Sequence, residues 1–302
     1  LGLGEVGLAL AEDLLKKNAV QLQCWDRQFG VEDSAAEQNW SKLQSIGAVT
    51  RAESASEAAR NCQLVLSAVT ADEVINAAHS ILPGLAEQAW FVDVNSVSPA
   101  TKQSLGELVE QAGGRFVEAA IMSPIMLLRL ASPILLAGPQ AKAFEVLGCE
   151  LGFSGMQAIS DTLGTAAASK MCRSVMIKGM ESLVTESLLT ARHYGVETAV
   201  IESLNNLFPR PDWPDYAYYL MTRSLQHGSR RAAEMREVAK TVGEAGLTPW
   251  MSSACAERQD WAAQFKTHLD EKTLEGLLDA INQHTADPDV TNQYITTKDA
   301  TL

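Results

Sequence analysis

The sequence predicts two domains: a layered α/β domain, then an all-helical one, joined by a long helix. Two observations carry this. Over residues 1–162, short apolar runs alternate with helical periodicity, the pattern of a parallel sheet with helices on its faces. From residue 163 onward only helical periodicity remains. The seam is Gly164-Thr165-Ala166-Ala167-Ala168-Ser169-Lys170, where a run of small residues delivers one lysine onto the long helical stretch. The domains are therefore set at 1–162 and 163–302.

The chain begins on Gly2-Leu3-Gly4-Glu5-Val6-Gly7, a G-x-G-x-x-G turn that runs into a helix pattern over 6–17. Leu8, Leu10, Ala11, Leu14 and Leu15 give that helix its apolar face. Residues 20–26 read as a strand ending in Asp26, about 20 residues beyond the glycines, the spacing of a dinucleotide-binding unit of Rossmann type. Such a motif needs a strand ahead of Gly2, and one is expected to precede it. Gly2 makes the turn, Gly4 admits the pyrophosphate, and Gly7 lets helix and strand close together. Glu5 and Val6 follow at the helix N-terminus, which faces the phosphates. Asp26 accepts hydrogen bonds from the adenosine ribose and repels a 2′-phosphate, which favours NAD. Arg27 could pair with that phosphate and favour NADP; stacking on adenine or plain solvation is the other reading of it. The expectation is NAD or NADP, leaning to NAD.

Further along, helix patterns cover 35–46, 72–82, 99–112 and 140–151, and strand patterns cover 64–69, 90–94, 116–121, 133–138 and 156–159. Ligands in such sheets sit outside the carboxyl ends of strands, so Val69, Thr70, Asn95 and Ser96 become candidate contacts. Loop or helix capping is the competing reading for Thr70 and Ser96. Residues 122–126 form a loop at a strand's carboxyl end and include Ser123. Beyond the seam, 164–194 reads as one helix, 208–214 as a rigid proline-rich loop, and 215–227, 230–245, 249–265 and 271–282 as further helices. The tail after Thr285 is polar.

Composition removes several function classes. The 302 residues carry a formal net charge of −13, against the basic face that nucleic acid requires. Cys24, Cys62, Cys149, Cys172 and Cys255 are scattered without a C-x-x-C pair, which argues against a disulfide framework or a zinc site and suits a reducing cytosol. The most apolar window, 121–138, is broken by Pro124, Arg129 and Pro133, so no membrane span is expected. No metal-ligand spacing appears.

These residues resemble the β-hydroxyacid dehydrogenases, the group containing 3-hydroxyisobutyrate and 6-phosphogluconate dehydrogenases, in the branch with a distinct helical carboxyl-terminal domain. The resemblance runs through nearly the whole chain. The glycine motif comes first. Asp93-Val94-Asn95-Ser96-Val97-Ser98-Pro99 is similar to the family's D-x-S-T-x-x-P segment. Phe116-Val117-Glu118-Ala119-Ala120-Ile121-Met122-Ser123 stands where the family has a strand and its substrate-binding Ser-Gly-Gly loop. The segment from Gly164 to Lys170 is similar to G-x-G-x-x-x-K, which carries the family's catalytic lysine. There are departures: Ser-Gly-Gly is replaced around Ser123, Ala166 stands for a glycine, and Ser174 for the usual asparagine. The glutamate that assists decarboxylation would fall at Ile177, which argues against the 6-phosphogluconate reaction.

The resemblance implies hydride transfer between a nicotinamide cofactor and a β-hydroxy acid or its aldehyde or keto counterpart, with Lys170 as general acid and base. A free lysine is too basic for that at neutral pH, and burial among small apolar residues would lower its pKa. Ser174, one turn on, could donate to the substrate. Arg173 could hold a carboxylate, and Ser96 and Ser123 would contact the substrate. Arg223, His227, Arg230 and Arg231 could form a cationic pocket for an acidic substrate; salt bridges to Glu234 and Glu237 are the competing reading. The expected partners are a small acidic substrate and a second copy of the chain, through the helical domain. Two other readings remain: an imine reductase-like enzyme, against which Lys170 argues, and a catalytically silent regulatory protein that binds NAD(P).

Overall fold

The computed structural model describes residues 1–17, 20–207 and 212–285. Two compact units emerge. The first is Leu1–Arg173 with Gly243–Leu247, and the second is Ser174–Val242 with the described residues from Thr248. The first turns of the long helix, Lys170 included, thus belong with the α/β unit.

In the first unit, α1 (Glu5–Lys16) leads to β1 (Leu22–Cys24), α2 (Ala35–Gln44), β2 (Val49–Arg51), α3 (Ala55–Ala59) and β3 (Leu64–Ser67). After a 3-10 turn, Ala71–Glu73, come α4 (Val74–Ile81), β4 (Trp90–Asp93), α5 (Pro99–Gln111) and β5 (Arg115–Ile121). Then follow α6 (Ile125–Leu128), β6 (Ile134–Ala137), α7 (Ala141–Leu151) and β7 (Met156–Ser160). Strands β1 and β2 pair in parallel, and a second sheet runs β3-β4-β5-β6-β7. Within it only the β5–β6 pair is antiparallel. The backbone of Leu1 and Gly2 ties the two sheets: Gly2 N donates to Trp25 O at 3.0 Å, and Leu1 N donates to Leu66 O at 2.9 Å.

All four residues of β4 are buried, as are six of the seven in β5, because helices cover both faces of the sheet. Alternate residues feed the two cores. Val92 and Val117 pack with Leu10, Leu14 and Phe144 on one side, while Phe91 and Phe116 pack with Ile81 and Leu105 on the other.

The second unit is helical. It takes the rest of α8 (Thr165–His193), then α9 (Glu197–Leu207), α10 (Trp213–Glu244), α11 (Trp250–Ala263) and α12 (Leu274–Thr285). Its core gathers Leu188, Met221, Leu225, Phe265, Leu278 and Ile281. Helix α10 corrects the expectation of two helices, 215–227 and 230–245. It runs unbroken for 32 residues through Gly228. A Cβ at Gly228 would lie 2.3 Å from the carbonyl oxygen of Gln259 on α11, so this glycine serves a close helix crossing and is not a stop. Trp213 and Pro214, expected in a loop, form the first turn of α10, where a proline is tolerated. Residues 208–211 of that predicted loop and the tail after Thr285 lie outside the described residues.

Sequence reading passed over β2, α3 and α9. Strand β2 is three residues long and α3 five, too short for periodicity to register. Helix α9 did carry a signal in Val200 and Ile201, which pack on the helical core.

Candidate active site

Positive φ at Gly2 (+83°) brings the turn against the loop after β3; a Cβ there would sit 2.3 Å from the Ala68 carbonyl oxygen. Gly4 is exposed, caps α1, and has open space where a side chain would be. No side chain caps the first turn of α1, so its amides at Glu5 and Val6 are presented outward. That bare N-terminus fits the phosphates of a dinucleotide. The acid Glu5 in the same turn is exposed.

Asp26, just past β1, is half-buried and locked. Its Oδ2 accepts from Leu3 N at 2.7 Å and its Oδ1 from Gln28 N at 2.8 Å. Each carboxylate oxygen keeps a lone pair for a ribose hydroxyl. Arg27 forms an ion pair with Glu73 in the 3-10 turn.

The loops after β3 and β4 are stitched together by Asn95. Its Oδ1 accepts from Val69 N at 2.7 Å, and its amide donates to Ser67 Oγ at 3.0 Å and Asp93 Oδ1 at 2.5 Å. The buried Asn95 side chain, expected to meet cofactor, is thus committed to shaping the loops. Thr70 is exposed and makes no capping bond to the turn that follows it. Capping of α5 falls to Ser98, which accepts from Thr101 N at 3.2 Å. Ser96 instead accepts from Lys170 Nζ at 2.6 Å. The lysine and the serine, named from different stretches of sequence, meet at the carboxyl end of β4.

What aims the lysine is a buried carboxylate. Glu118, wholly buried in β5, accepts from Gly164 N and Ala167 N at 2.5 Å each, so it caps the helix that carries Lys170. Burial pushes the Glu118 carboxyl above its usual range, against the pull of Lys102 and the two amides. Register places Asp93 of β4 beside Glu118 of β5. Lys102 of α5 is fully buried and answers the Asp93 charge: its Nζ lies 2.5 Å from Asp93 Oδ2 and 2.8 Å from the Asp93 carbonyl oxygen. Of the two neighbouring carboxylates, Asp93 is thus held by the Lys102 ammonium and Glu118 by the amides at the start of α8. This network was missed as a site element. Its sequence signal is an acid inside an otherwise apolar strand, which a buried strand tolerates only when it is paired.

Ser123 follows β5, and its Oγ is buried with no hydrogen-bond partner among the described residues. Its neighbour Met122 packs against the small cluster formed by Ala120, Ala137 and Ala166. The loop is clamped by Arg129, whose guanidinium reaches Asp13 at 2.9 Å, Glu12 at 2.6 Å and the Ala9 carbonyl at 2.8 Å, all on α1. Arg173 is exposed on α8.

The remaining named residues lie in the helical unit. Ser174 is buried and accepts from Lys178 Nζ at 3.2 Å. Lys178 pairs with Glu234 at 2.6 Å. Burial pushes its ammonium pKa down, and Glu234 opposes the shift. Arg230 pairs with Glu234 at 2.5 Å, and the buried Arg231 pairs with Glu181. Two of the cations expected to line a pocket are therefore answered by acids, Arg230 by the glutamate the competing reading named. Glu237 pairs with Lys240 instead. His227 and Arg223 are half-buried on α10. Among the described residues no cluster of histidine, cysteine or acidic side chains could hold a metal, and no helix is long and apolar enough to cross a membrane.

Comparison with known proteins identifies the family of the first unit and proteins of similar fold. Residues 1–151 match the family described as the NAD binding domain of 6-phosphogluconate dehydrogenase, and residues 191–262 match a domain of unknown function, DUF1932. A conserved hypothetical protein of Sinorhizobium meliloti has a similar structure, with 32% identity, a TM-score of 0.70, and coverage of 93% of this chain and 94% of that one. Glyoxylate/succinic semialdehyde reductase 1 of Arabidopsis thaliana is 24% identical over 218 residues, 68% of this chain and 70% of that protein. The mitochondrial 3-hydroxyisobutyrate dehydrogenase of Drosophila melanogaster is 22% identical over 221 residues, 72% and 65% of the two chains.

Proposed function

Given that the chain belongs to the family of the 6-phosphogluconate dehydrogenase NAD-binding domain, in its 3-hydroxyisobutyrate dehydrogenase-like group, we propose a specific reaction for it. It oxidises a β-hydroxy acid, or reduces the matching aldehyde or keto acid, with NAD as the preferred cofactor. The observation that carries this reading is the 2.6 Å hydrogen bond between Lys170 Nζ and Ser96 Oγ. It sits in the same unit as an uncapped, glycine-lined helix N-terminus.

The amides at the start of α1 would hold the pyrophosphate and Asp26 the adenosine ribose. The bound nicotinamide supplies or takes up hydride. Lys170 handles the proton: its ammonium gives one to the carbonyl oxygen in reduction, and its amine takes one from the hydroxyl in oxidation. Ser96 accepts from Nζ, so its own hydroxyl proton is directed elsewhere and can bond the reacting oxygen. Ser123, whose buried hydroxyl has no partner among the described residues, would orient the acid group, as would Arg173. We place the protein in the cytosol, acting on a small acidic substrate. We also propose that it pairs with a second copy through the helical unit.

The test is a turnover screen of hydroxy acids, their aldehyde and keto counterparts, and cyclic imines, with both nucleotides. Turnover of a hydroxy acid or its counterpart with NAD supports the proposal. Turnover of imines alone, or tight cofactor binding without any turnover, sinks it.

A further inference from the structure

Asp26 and Arg27 carry opposed charges toward the 2′ position of a bound adenosine, and the structure treats them differently. Asp26 is fixed by two backbone amides, Leu3 N and Gln28 N. Arg27, with a side chain 58% exposed, is not solvated alone. Its guanidinium is ion-paired with Glu73, the last residue of the turn Ala71–Glu73 beyond β3. Glu73 is the more enclosed partner, at 26%. A 2′-phosphate brings up to two negative charges. It would meet Asp26 directly and would have to displace Glu73 before engaging Arg27. A 2′-hydroxyl needs only the carboxylate of Asp26.

We propose that Glu73 is a cofactor-specificity residue: by holding Arg27 in an ion pair it selects the dinucleotide whose 2′ position is a hydroxyl. The proposal rests on the dinucleotide reading given above and adds a determinant from a different loop. Exposed pairs of this kind contribute little to folding, so loss of Glu73 should act on nucleotide choice and not on stability. Without the carboxylate, the planar fork of Arg27 can take a phosphate bidentately, as guanidinium groups do.

The experiment measures dissociation constants of NAD and NADP by calorimetry for the full chain and for Glu73→Gln, Arg27→Gln and the double variant. The parent should bind NAD more tightly. Glu73→Gln should narrow the gap on the order of tenfold, through tighter NADP binding. In the double variant that gain should vanish, because it is made through Arg27. A parent that prefers NADP, a ratio unmoved by Glu73→Gln, or a gain that survives loss of Arg27 overturns the inference while leaving the dinucleotide reading intact. A parent that binds neither nucleotide overturns both.

Discussion

Lys170 reaches Ser96 because two residues outside the reacting pair, Asn95 and Ser98, have already set the loop that carries the serine. Asn95 cross-links the loops after β3 and β4 with its whole amide, leaving the next residue, Ser96, to turn outward. Ser98 takes the capping duty that would otherwise occupy Ser96. A hydroxyl placed 2.6 Å from an ammonium both fixes it and relays its polarity. Ser96→Ala should therefore lower kcat by about tenfold or more, the worth of a hydrogen bond to a charged group, with little change in the dissociation constant of NAD. Steady-state kinetics and a binding titration check this. An unchanged kcat would remove Ser96 from the site. At this scale sequence reading found both members of the pair, since each stands in a recognisable motif. It could not find their contact, which depends on a turn in one loop and a cap at one helix.

At the scale of elements, the helix that bears Lys170 starts on a charge inside the sheet. Glu118 offers both carboxylate oxygens to the amides of Gly164 and Ala167. In Glu118→Gln one acceptor becomes a donor and faces an N–H, at a cost of about 1–3 kcal/mol. Urea unfolding should show that loss. It should also show a pH signature. The pKa of the folded Glu118 carboxyl is raised above its ordinary value of 4.5, so the folded chain holds this proton more tightly than the unfolded chain. Its contribution is fully present below 4.5 and declines as pH rises through the folded value. Glu118→Gln should lack that decline; a parallel pH profile would contradict the assignment. Most strands and helices of this unit were legible because their periods differ and each is long enough to show one; β2 and α3 were too short. The Asp93–Lys102–Glu118 network was not, because burial of a lysine in α5 follows from register between β4 and β5, which no local pattern reveals. Helix α10 shows the opposite failure, a local stop signal at Gly228 overruled by its approach to Gln259.

At the scale of the whole molecule, the described residues of the helical unit include an exposed apolar stripe. Met176 and Leu183, seven residues apart on α8, are 64% and 58% exposed. Large apolar side chains at i and i+7 lie on one face of a helix. Such an exposed stripe is a common mark of association. A second copy of the chain should cover it, so the parent should run as a dimer in light scattering and Met176→Glu with Leu183→Glu as a monomer. A parent that is already monomeric would end that proposal. The acidic net charge and the two-part texture were plain in the sequence. The passage of one helix from the α/β unit into the helical one was also legible, since 164–194 holds no proline. The central claim is that Lys170 moves the proton of a hydroxy acid whose hydride goes to NAD. Its most direct test is Lys170→Met, assayed on whichever substrate the parent turns over, with NAD affinity measured alongside. The account predicts a loss of turnover of about 10²–10⁴-fold with NAD affinity retained. A variant that keeps full turnover would contradict it.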